Sequence, residues 1–448
     1  MADETRDGTR DESCATGGDA ARPGVVAVFS GARATAIALP IGARALTIGR
    51  TIAALGDDRL SRRHVEISYD GAWTIRDLDS RNGTFVDGEA VRGGITKTEV
   101  RTIRAGDTIL VPTRDARETC RAEGDVVIGG ALAASLARVD DAERASDTLV
   151  LNGESGTGKE LAARRFHANG PHAKGPFVAV NCAAIPEGVA ERLLFGTKRG
   201  AYSGADADAR GHVQTADGGV LFLDEVAELA LDVQAKLLRF LESREALPLG
   251  ATHAQRVDVR VCVATHRDLR AAVAAGTFRA DLYHRLAPPV VELPALRDRP
   301  DEIAWHVARA IASVSPALAA HPKLVEACLL REWPGNVREI AKEARQAAWR
   351  ALDEGADRVR AEHLDASAGR AFESGDDARD DAKNESGERP AVRRSYTRWS
   401  TSLTRDDVER ALAANAGRVA DAARSLGMQR TQLYREMARW SIRPARSA

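Results

Sequence analysis

TLVLNGESGTGKELAARRFH, residues 148–167, decides the fold of the middle of the chain. The apolar run TLVL reads as a strand, GESGTGKE (153–160) as a glycine-rich turn, and LAARRFH as the start of a helix. That order is the context a phosphate loop requires. Gly153, Gly156 and Gly158 let backbone N–H groups turn inward around phosphate oxygens, with Glu154, Ser155 and Thr157 filling the loop between them. The helix N-terminus adds partial positive charge. Lys159 supplies a point charge for the β- and γ-phosphates. Glu160 stands where Ser or Thr usually ligates magnesium. Sixty-five residues after Lys159, the strand in GGVLFLDEVAEL (218–229) ends in Asp224-Glu225. Asp224 is placed to hold Mg²⁺ and Glu225 to orient an attacking water, so ATP and Mg²⁺ are the expected cofactors.

Outward from this loop, strands (TLVLN, PFVAVN, GVLFLDEV, RVCVATH) alternate with helical stretches from about residue 124, the pattern of an α/β parallel sheet. Residues 296–370 read as mostly helical. Residues 24–112 differ: short β-branched or alternating runs punctuated by Gly, Asp and Asn, with no helix between them, predict a β-sandwich. Val65, Ile67 and Tyr69 alternate as on a half-buried strand, and Asp87-Gly88 signals a hairpin turn. Residues 1–22 and 371–400 are polar and rich in acids or chain breakers and read as a disordered tail and linker.

The chain has 448 residues, 44% hydrophobic and 29% charged, with a net charge of −1. This is ordinary for soluble globular protein of about three domains. The balance hides an asymmetry: residues 391–448 carry 12 Arg against 5 Asp+Glu, a basic tip that suggests DNA. Arg outnumbers Lys 56 to 8, so a lysine inside a motif is less easily background. Five scattered cysteines without a CxxC argue against a disulfide framework or a zinc site. With no signal peptide and no apolar run near the ~18 residues a membrane helix needs, the expectation is a cytoplasmic protein with no membrane partner.

Residues 404–442 read as three short helices. Thr404 and Asp407 form a capping-box-like start. Val408, Ala411 and Leu412 make one apolar face, and Val419, Ala423 and Leu426 the next, ending at Gly427. The third helix is lined by Leu433, Met437 and Trp440, and its opposite side offers Arg430, Gln432, Arg435 and Arg439. A helix, a glycine turn and a basic helix make a helix-turn-helix.

These motifs resemble the AAA+ ATPases that activate sigma-54 RNA polymerase, the bacterial enhancer-binding proteins. The resemblance covers about 125–370, and GESGTGKE, with its Glu, is similar to that family's own phosphate loop. PFVAVNCAAIPE (176–187) resembles the block in which Asn181 couples Glu225 to nucleotide state. VCVATHRDL (261–269) resembles the sensor I strand, with Thr265 and His266. GTFRADLYHRL (276–286) resembles the block whose two arginines, here Arg279 and Arg285, reach the neighbouring subunit's ATP. WPGNVREI (333–340) resembles the sensor II block, with Arg338 facing the phosphates from the lid. A site shared between subunits implies a closed ring, since a head-to-tail contact either closes or polymerises; the family forms hexamers.

RGAYSGA (199–205) occupies the place of the family's GAFTGA loop, which contacts the sigma factor through Gly200, Ala201, Tyr202, Ser203, Gly204 and Ala205. Phe has become Tyr and Thr has become Ser, so ring and hydroxyl persist. Leu193 and Lys198 stand where the family's ELFGHE pattern carries acids that help couple ATP state to the loop. The N-terminal blocks TIGR (47–50), LSRRH (60–64) and DLDSRNGTFVDG (77–88) resemble a forkhead-associated (FHA) domain, which binds phosphothreonine. On that resemblance Arg50, Ser61 and Arg62 donate to the phosphate, Asn82 binds the peptide backbone with Arg81 beside it, and His64 braces the loops. The C-terminal stretch resembles a Fis-type DNA-binding domain, with Arg418 in place of the usual Asn.

The resemblance therefore implies an all-β FHA sandwich (23–118), an α/β AAA+ P-loop ATPase (124–370) with a helical lid (about 296–370), and an all-α helix-turn-helix (401–448). The implied function is sigma-54-dependent transcription regulation. ATP hydrolysis in an oligomeric ring would remodel sigma-54 RNA polymerase holoenzyme from enhancer-like DNA. A phosphothreonine protein or peptide, with a Ser/Thr kinase as the candidate source, would bind the FHA domain. The alternatives are an FHA/DNA-binding adaptor with a vestigial ATPase, or an ATPase acting on another client.

Overall fold

The computed structural model describes residues 22–116, 121–123, 126–186, 188–202 and 206–371, together with 405 and 410–412. The chain divides into two compact units, Met1–Phe372 and Glu373–Ala448. In the second, Arg405 and 410–412 are helical, with Ala411 and Leu412 buried. The rest of the expected helix-turn-helix, and the expected tail and linker, lie outside the described residues.

Among the described residues of the first unit, ten strands come first: β1 (Gly24–Ser30), β2 (Arg33–Pro40), β3 (Leu46–Ile48), β4 (Val65–Tyr69), β5 (Trp73–Asp77), β6 (Thr84–Val86), β7 (Glu89–Ala90), β8 (Gly94–Lys97), β9 (Ile103–Ala105) and β10 (Thr108–Thr113). They form two sheets, β2-β1-β10-β9-β6-β7 and β3-β4-β5-β8. The alternation read in β4 is real: Val65 and Ile67 pack with Val25, Ala27, Ile48, Ile75 and Leu110 between the sheets. Strand β1 does not alternate; all seven of its residues are buried. A bulge shifts its register between Ala27 and Phe29 against both neighbours. The extra residue puts Val26, Val28 and Phe29 together on the side away from the sandwich core.

A hairpin, β11 (Arg121–Glu123) and β12 (Val126–Ile128), leads into α1 (Gly130–Ala145). Then β13 (Thr148–Asn152), α2 (Lys159–Asn169), β14 (Phe177–Asn181), α3 (Ala190–Phe195), α4 (His212–Thr215), β15 (Val220–Asp224) and α5 (Leu231–Ser243) follow. After a short hairpin, β16 (Glu245–Ala246) and β17 (Gln255–Arg256), come β18 (Arg260–Thr265), α6 (Leu269–Ala274), α7 (Ala280–Leu286) and β19 (Val290–Glu292). The sheet order is β14-β15-β18-β13-β19, and every pairing is parallel. Its strands are apolar on both faces. Leu149, Leu151, Phe222 and Cys262 pack under α1 and α2, while Leu221, Leu223, Val261 and Val263 pack under α5 and α7. This three-layer arrangement is the α/β domain expected.

The lid comprises α8 (Ile303–Val314), α9 (Pro322–Leu329) and α10 (Asn336–Asp353), with β20 (Ala319–Ala320) pairing β21 (Arg358–Val359). Its core is shared with the sandwich: Val26, Val28, Phe29, Ile109 and Val111 pack in one cluster with Ile303, Val307, Ile311, Leu324 and Val325. Sequence reading treats the two regions as separate domains; the structure joins them through one apolar interior. Among the described residues no helix is long and apolar enough to cross a membrane. The described cysteines Cys182, Cys262 and Cys328 are free and buried. Burial pushes the Cys182 and Cys328 thiols up to about 12, Asp224 and Glu225 adding to the effect at Cys182.

Candidate functional site: a phosphate loop at the sheet's switch point

Strand order reverses at β13, whose neighbours are β18 and β19, so a crevice opens beyond the carboxyl ends of the strands. The phosphate loop runs from β13 to α2 along this crevice. Gly156 has φ +80°, and a Cβ there would collide with the carbonyl oxygen of Gly335 in the lid. The loop and the lid thus approach as closely as backbone allows, which only glycine permits. The cleft, about 720 Å³, is lined by Ser155–Leu161, Asn181, Asp224 and Glu225 from the sheet side and by Arg338 from the lid.

Lys159 is 7% exposed. Its Nζ donates to the carbonyl of Gly153 at 2.8 Å and lies 3.5 Å from Glu225 Oε1. Asp224 ends β15. Burial, and then the neighbouring Glu225 carboxylate, raise its carboxyl above the usual range, while Lys159 and Arg338 pull it down. Its Oδ1 is buried with no hydrogen-bond partner in the structure. An orphaned buried carboxylate oxygen suits a divalent cation. No group of three His, Cys, Asp or Glu that could hold a metal occurs among the described residues. A cation here would therefore depend on Asp224 and phosphate oxygens. Glu160 points outward and pairs with Arg164 at 2.6 Å.

Glu225 occupies a left-handed backbone conformation, φ 55°. Its Oε2 lies 2.7 Å from His266 Nδ1, just past the end of β18. Asn181 lines the same cleft, but its carboxamide oxygen accepts the N–H of Ala183. In this state Glu225 is therefore held by His266. Thr265 is buried, and its hydroxyl accepts the N–H of Arg267. Arg338 donates to Ser155 Oγ at 3.1 Å. Arg279 and Arg285 do not line this cleft: Arg279 pairs with Asp281, and Arg285 donates to the carbonyl of Leu241.

Three lid residues that sequence reasoning missed fasten the loop. Asn336 is fully buried with φ 51°, and its side chain donates to Glu154 Oε2 and the Ser155 carbonyl, both at 3.0 Å. Arg297 grips Glu154 through two bonds of 2.6 and 3.0 Å, holding that carboxyl below its ordinary value. Arg299, 1% exposed, donates to the Thr157 carbonyl at 2.7 Å. Asn336 lay inside the WPGNVREI block and was legible there; nothing marked Arg297 or Arg299 among so many arginines.

In the loop at 200–205, Tyr202 is 40% exposed. Its hydroxyl accepts from Arg192 at 3.0 Å, and that guanidinium lies 5.3 Å from the ring centroid. Ser203, Gly204 and Ala205 lie outside the described residues. Leu193 is exposed, and Lys198 pairs with Asp208.

A second cluster sits on the sandwich loops. Arg50 donates to the carbonyls of Leu60 and Asp58 at 3.0 and 2.6 Å. Asn82 donates to the Arg59 carbonyl at 2.6 Å, and Ser61 Oγ accepts the Arg81 N–H at 3.1 Å. Arg62 and Arg81 are exposed. His64, fully buried, accepts the Ser61 N–H on Nδ1 at 3.2 Å and lies 3.1 Å from the Gly83 carbonyl through Nε2. It braces the loops, as expected. A Cβ on Gly49 would strike the Arg62 carbonyl, which explains the glycine of TIGR. The candidate DNA-reading residues Arg430, Gln432, Arg435 and Arg439 lie outside the described residues.

A phosphate loop at a parallel sheet's switch point, with a carboxylate pair and a helical lid, defines an AAA+-type ATPase domain. A family model for the sigma-54 interaction domain matches residues 128–292, one for the FHA domain matches 46–112, and one for the Fis family of bacterial regulatory proteins matches 406–440. The anaerobic nitric oxide reductase transcription regulator NorR of Klebsiella pneumoniae is 35% identical over 385 residues, 82% of this chain and 72% of that protein. The nitric oxide reductase transcription regulator NorR1 of Cupriavidus necator is 41% identical over 304 residues, 64% of this chain and 58% of that one. The hydrogenase transcriptional regulatory protein HoxA of Bradyrhizobium diazoefficiens is 46% identical over 214 residues, and the chain covers 44% of it. The chain thus spans about half the length of several curated relatives it matches. A crystal structure of NtrX from Brucella abortus in complex with ATP superposes with TM-score 0.50 at 28% identity, covering 71% of this chain and 69% of that one. The chain belongs to the sigma-54-dependent transcriptional activators, and it carries an FHA domain and a Fis-type helix-turn-helix domain.

Proposed function

We propose that the protein hydrolyses ATP in a ring, a hexamer on the family resemblance, and uses it to remodel sigma-54 RNA polymerase in the cytoplasm. The observation that carries this reading is the convergence of Lys159, Asp224 and Glu225 on one cleft beneath the lid. Lys159 and the loop N–H groups bind the β- and γ-phosphates. Asp224 would hold Mg²⁺, which when bound neutralises phosphate charge. Glu225, freed from His266, accepts a proton from the attacking water. Arg338 reaches the phosphates from the lid. Arg279 and Arg285, which leave this chain's own cleft, serve the neighbouring subunit's site, where a trans arginine contributes ~10³–10⁵ in rate. The loop at 200–205 presents Tyr202 to the sigma factor, and Arg430, Gln432, Arg435 and Arg439 read DNA bases or phosphates.

Phosphothreonine recognition is assigned to Arg50, Ser61, Arg62, Arg81 and Asn82. These gather at the loop ends of one sandwich, with Arg62 and Arg81 exposed for charge-assisted bonds to a phosphate. Steady-state ATP turnover tests the enzymatic core. The purified chain should hydrolyse ATP, and Glu225→Ala should lose turnover while still binding nucleotide. Turnover that persists in Glu225→Ala would refute this assignment.

A further inference from the structure

The sandwich and the nucleotide cleft lie on opposite sides of one helix. On α8, Ile303, Val307 and Ile311 join the apolar cluster with Val26, Val28 and Phe29 of β1, and Trp305 donates its indole N–H to the Thr35 carbonyl of β2 at 3.2 Å. From the same helix, His306, Arg309 and Ser313 line the cleft. Only the thickness of a helix, about 10–12 Å, separates the two. Beside it a buried ion pair crosses between domains: Arg104 Nε on β9 meets Glu326 Oε2 on α9 at 2.7 Å, with side chains 9% and 7% exposed. The Arg104 guanidinium lies 3.8 Å from the centroid of the Phe85 ring on β6. At the rim, Arg101 pairs with Glu332 at 2.8 Å. Glu332 directly precedes the block whose Val337 N–H bonds the Gly156 carbonyl of the phosphate loop.

We propose that this interface couples the FHA domain to nucleotide binding. Nucleotide held against α8 tightens the FHA sheet packed on its back, and loosening that sheet weakens nucleotide binding by the same factor. The packed interior is not continuously deformable, so order imposed on one face of α8 reaches the other. A helix already ordered by one ligand costs less to order for the second contact, and linkage makes the effect reciprocal. The inference rests on nucleotide occupying the cleft and is independent of phosphothreonine recognition.

Hydrogen–deuterium exchange on the full chain, with and without saturating ADP, tests it. Slowing of exchange at 153–169 reports bound nucleotide. The expected result is at least about threefold slower exchange at 24–30 and 108–113 as well as 303–314, with 65–77 in the other sheet unchanged. Removing one partner of a buried pair strands the other, whereas replacing both with apolar groups is tolerated. Glu326→Ala should therefore abolish the ADP response of 24–30 and raise the Kd for ADP by about threefold or more, and Arg104→Met with Glu326→Leu should restore both. If Glu326→Ala also speeds exchange at 65–77, Trp305→Phe, which removes the bond to Thr35 but keeps an aromatic ring against β2, reads the same two quantities. Exchange at 24–30 and 108–113 that is indifferent to ADP while 153–169 is protected would overturn the proposal, as would an unchanged Kd in a variant whose FHA strands have loosened.

Discussion

Two residues bear on their loops through bonds that can be removed one at a time. Glu154 joins the phosphate loop to Arg297 and Asn336 of the lid. Arg297 holds its carboxyl below the ordinary 4.5, so the folded state binds its proton less tightly than the unfolded chain does. The stabilisation is therefore full above 4.5 and is lost as pH falls through the lowered value. Wild type should exceed Glu154→Gln in stability at pH 6, and denaturant melts at falling pH should show that difference shrinking. A difference that grows on acidification contradicts the assignment. His64 satisfies the Ser61 N–H and reaches the Gly83 carbonyl from a fully buried position. His64→Ala should cost about 2–4 kcal/mol in chemical denaturation, the sum of a cavity and stranded polar groups. Both residues sat in contiguous motifs and were legible there. Glu154's partner Arg297 comes from a sequence-distant segment outside any motif, and a bond between distant segments leaves no local pattern to read; Asn336 sat in a readable block, but nothing local tied it to Glu154.

At the scale of elements, the phosphate loop and the Asp224-Glu225 strand end were legible because strand, turn and helix follow one another within a few residues. The alternation of β4 likewise announced a sheet with one inner face. Strand β1 carried a signal that was present but unread: VVAVF is apolar on both faces, as in a strand covered on both sides. The sequence could not name the cover, because α8 and α9 lie almost 300 residues downstream, and helical periodicity does not specify a partner. Phe29 is fully buried in the shared cluster. Phe29→Ala should cost about 3–5 kcal/mol, and intrinsic fluorescence and circular dichroism should show sandwich and lid melting at one lowered midpoint. Loss of the sandwich alone, at an unchanged lid midpoint, would argue that the two cores are separate.

For the whole molecule, Arg279 precedes the first residue of α7 and Arg285 lies in its last turn, and neither lines this chain's own cleft, which motivates the proposed role in trans. Mixing Arg285→Ala chains with Glu225→Ala chains, each inactive alone, should restore part of the ATPase activity, since mixed contacts unite an intact carboxylate with an intact arginine. No recovery on mixing would place the arginine's action within its own subunit. The proposed ring, DNA contacts and polymerase contact are reached from a single chain's sequence only through motifs. The proposed function requires that nucleotide state control the grip on sigma-54. Sigma-54 binding by the full chain should be measured in ATP-free buffer and with ADP plus a metal fluoride that mimics the transferring phosphoryl group. A complex should form only with the mimic and be lost in Tyr202→Ala. Binding that ignores nucleotide, or no complex from a chain that turns over ATP, would rule out nucleotide control of this contact.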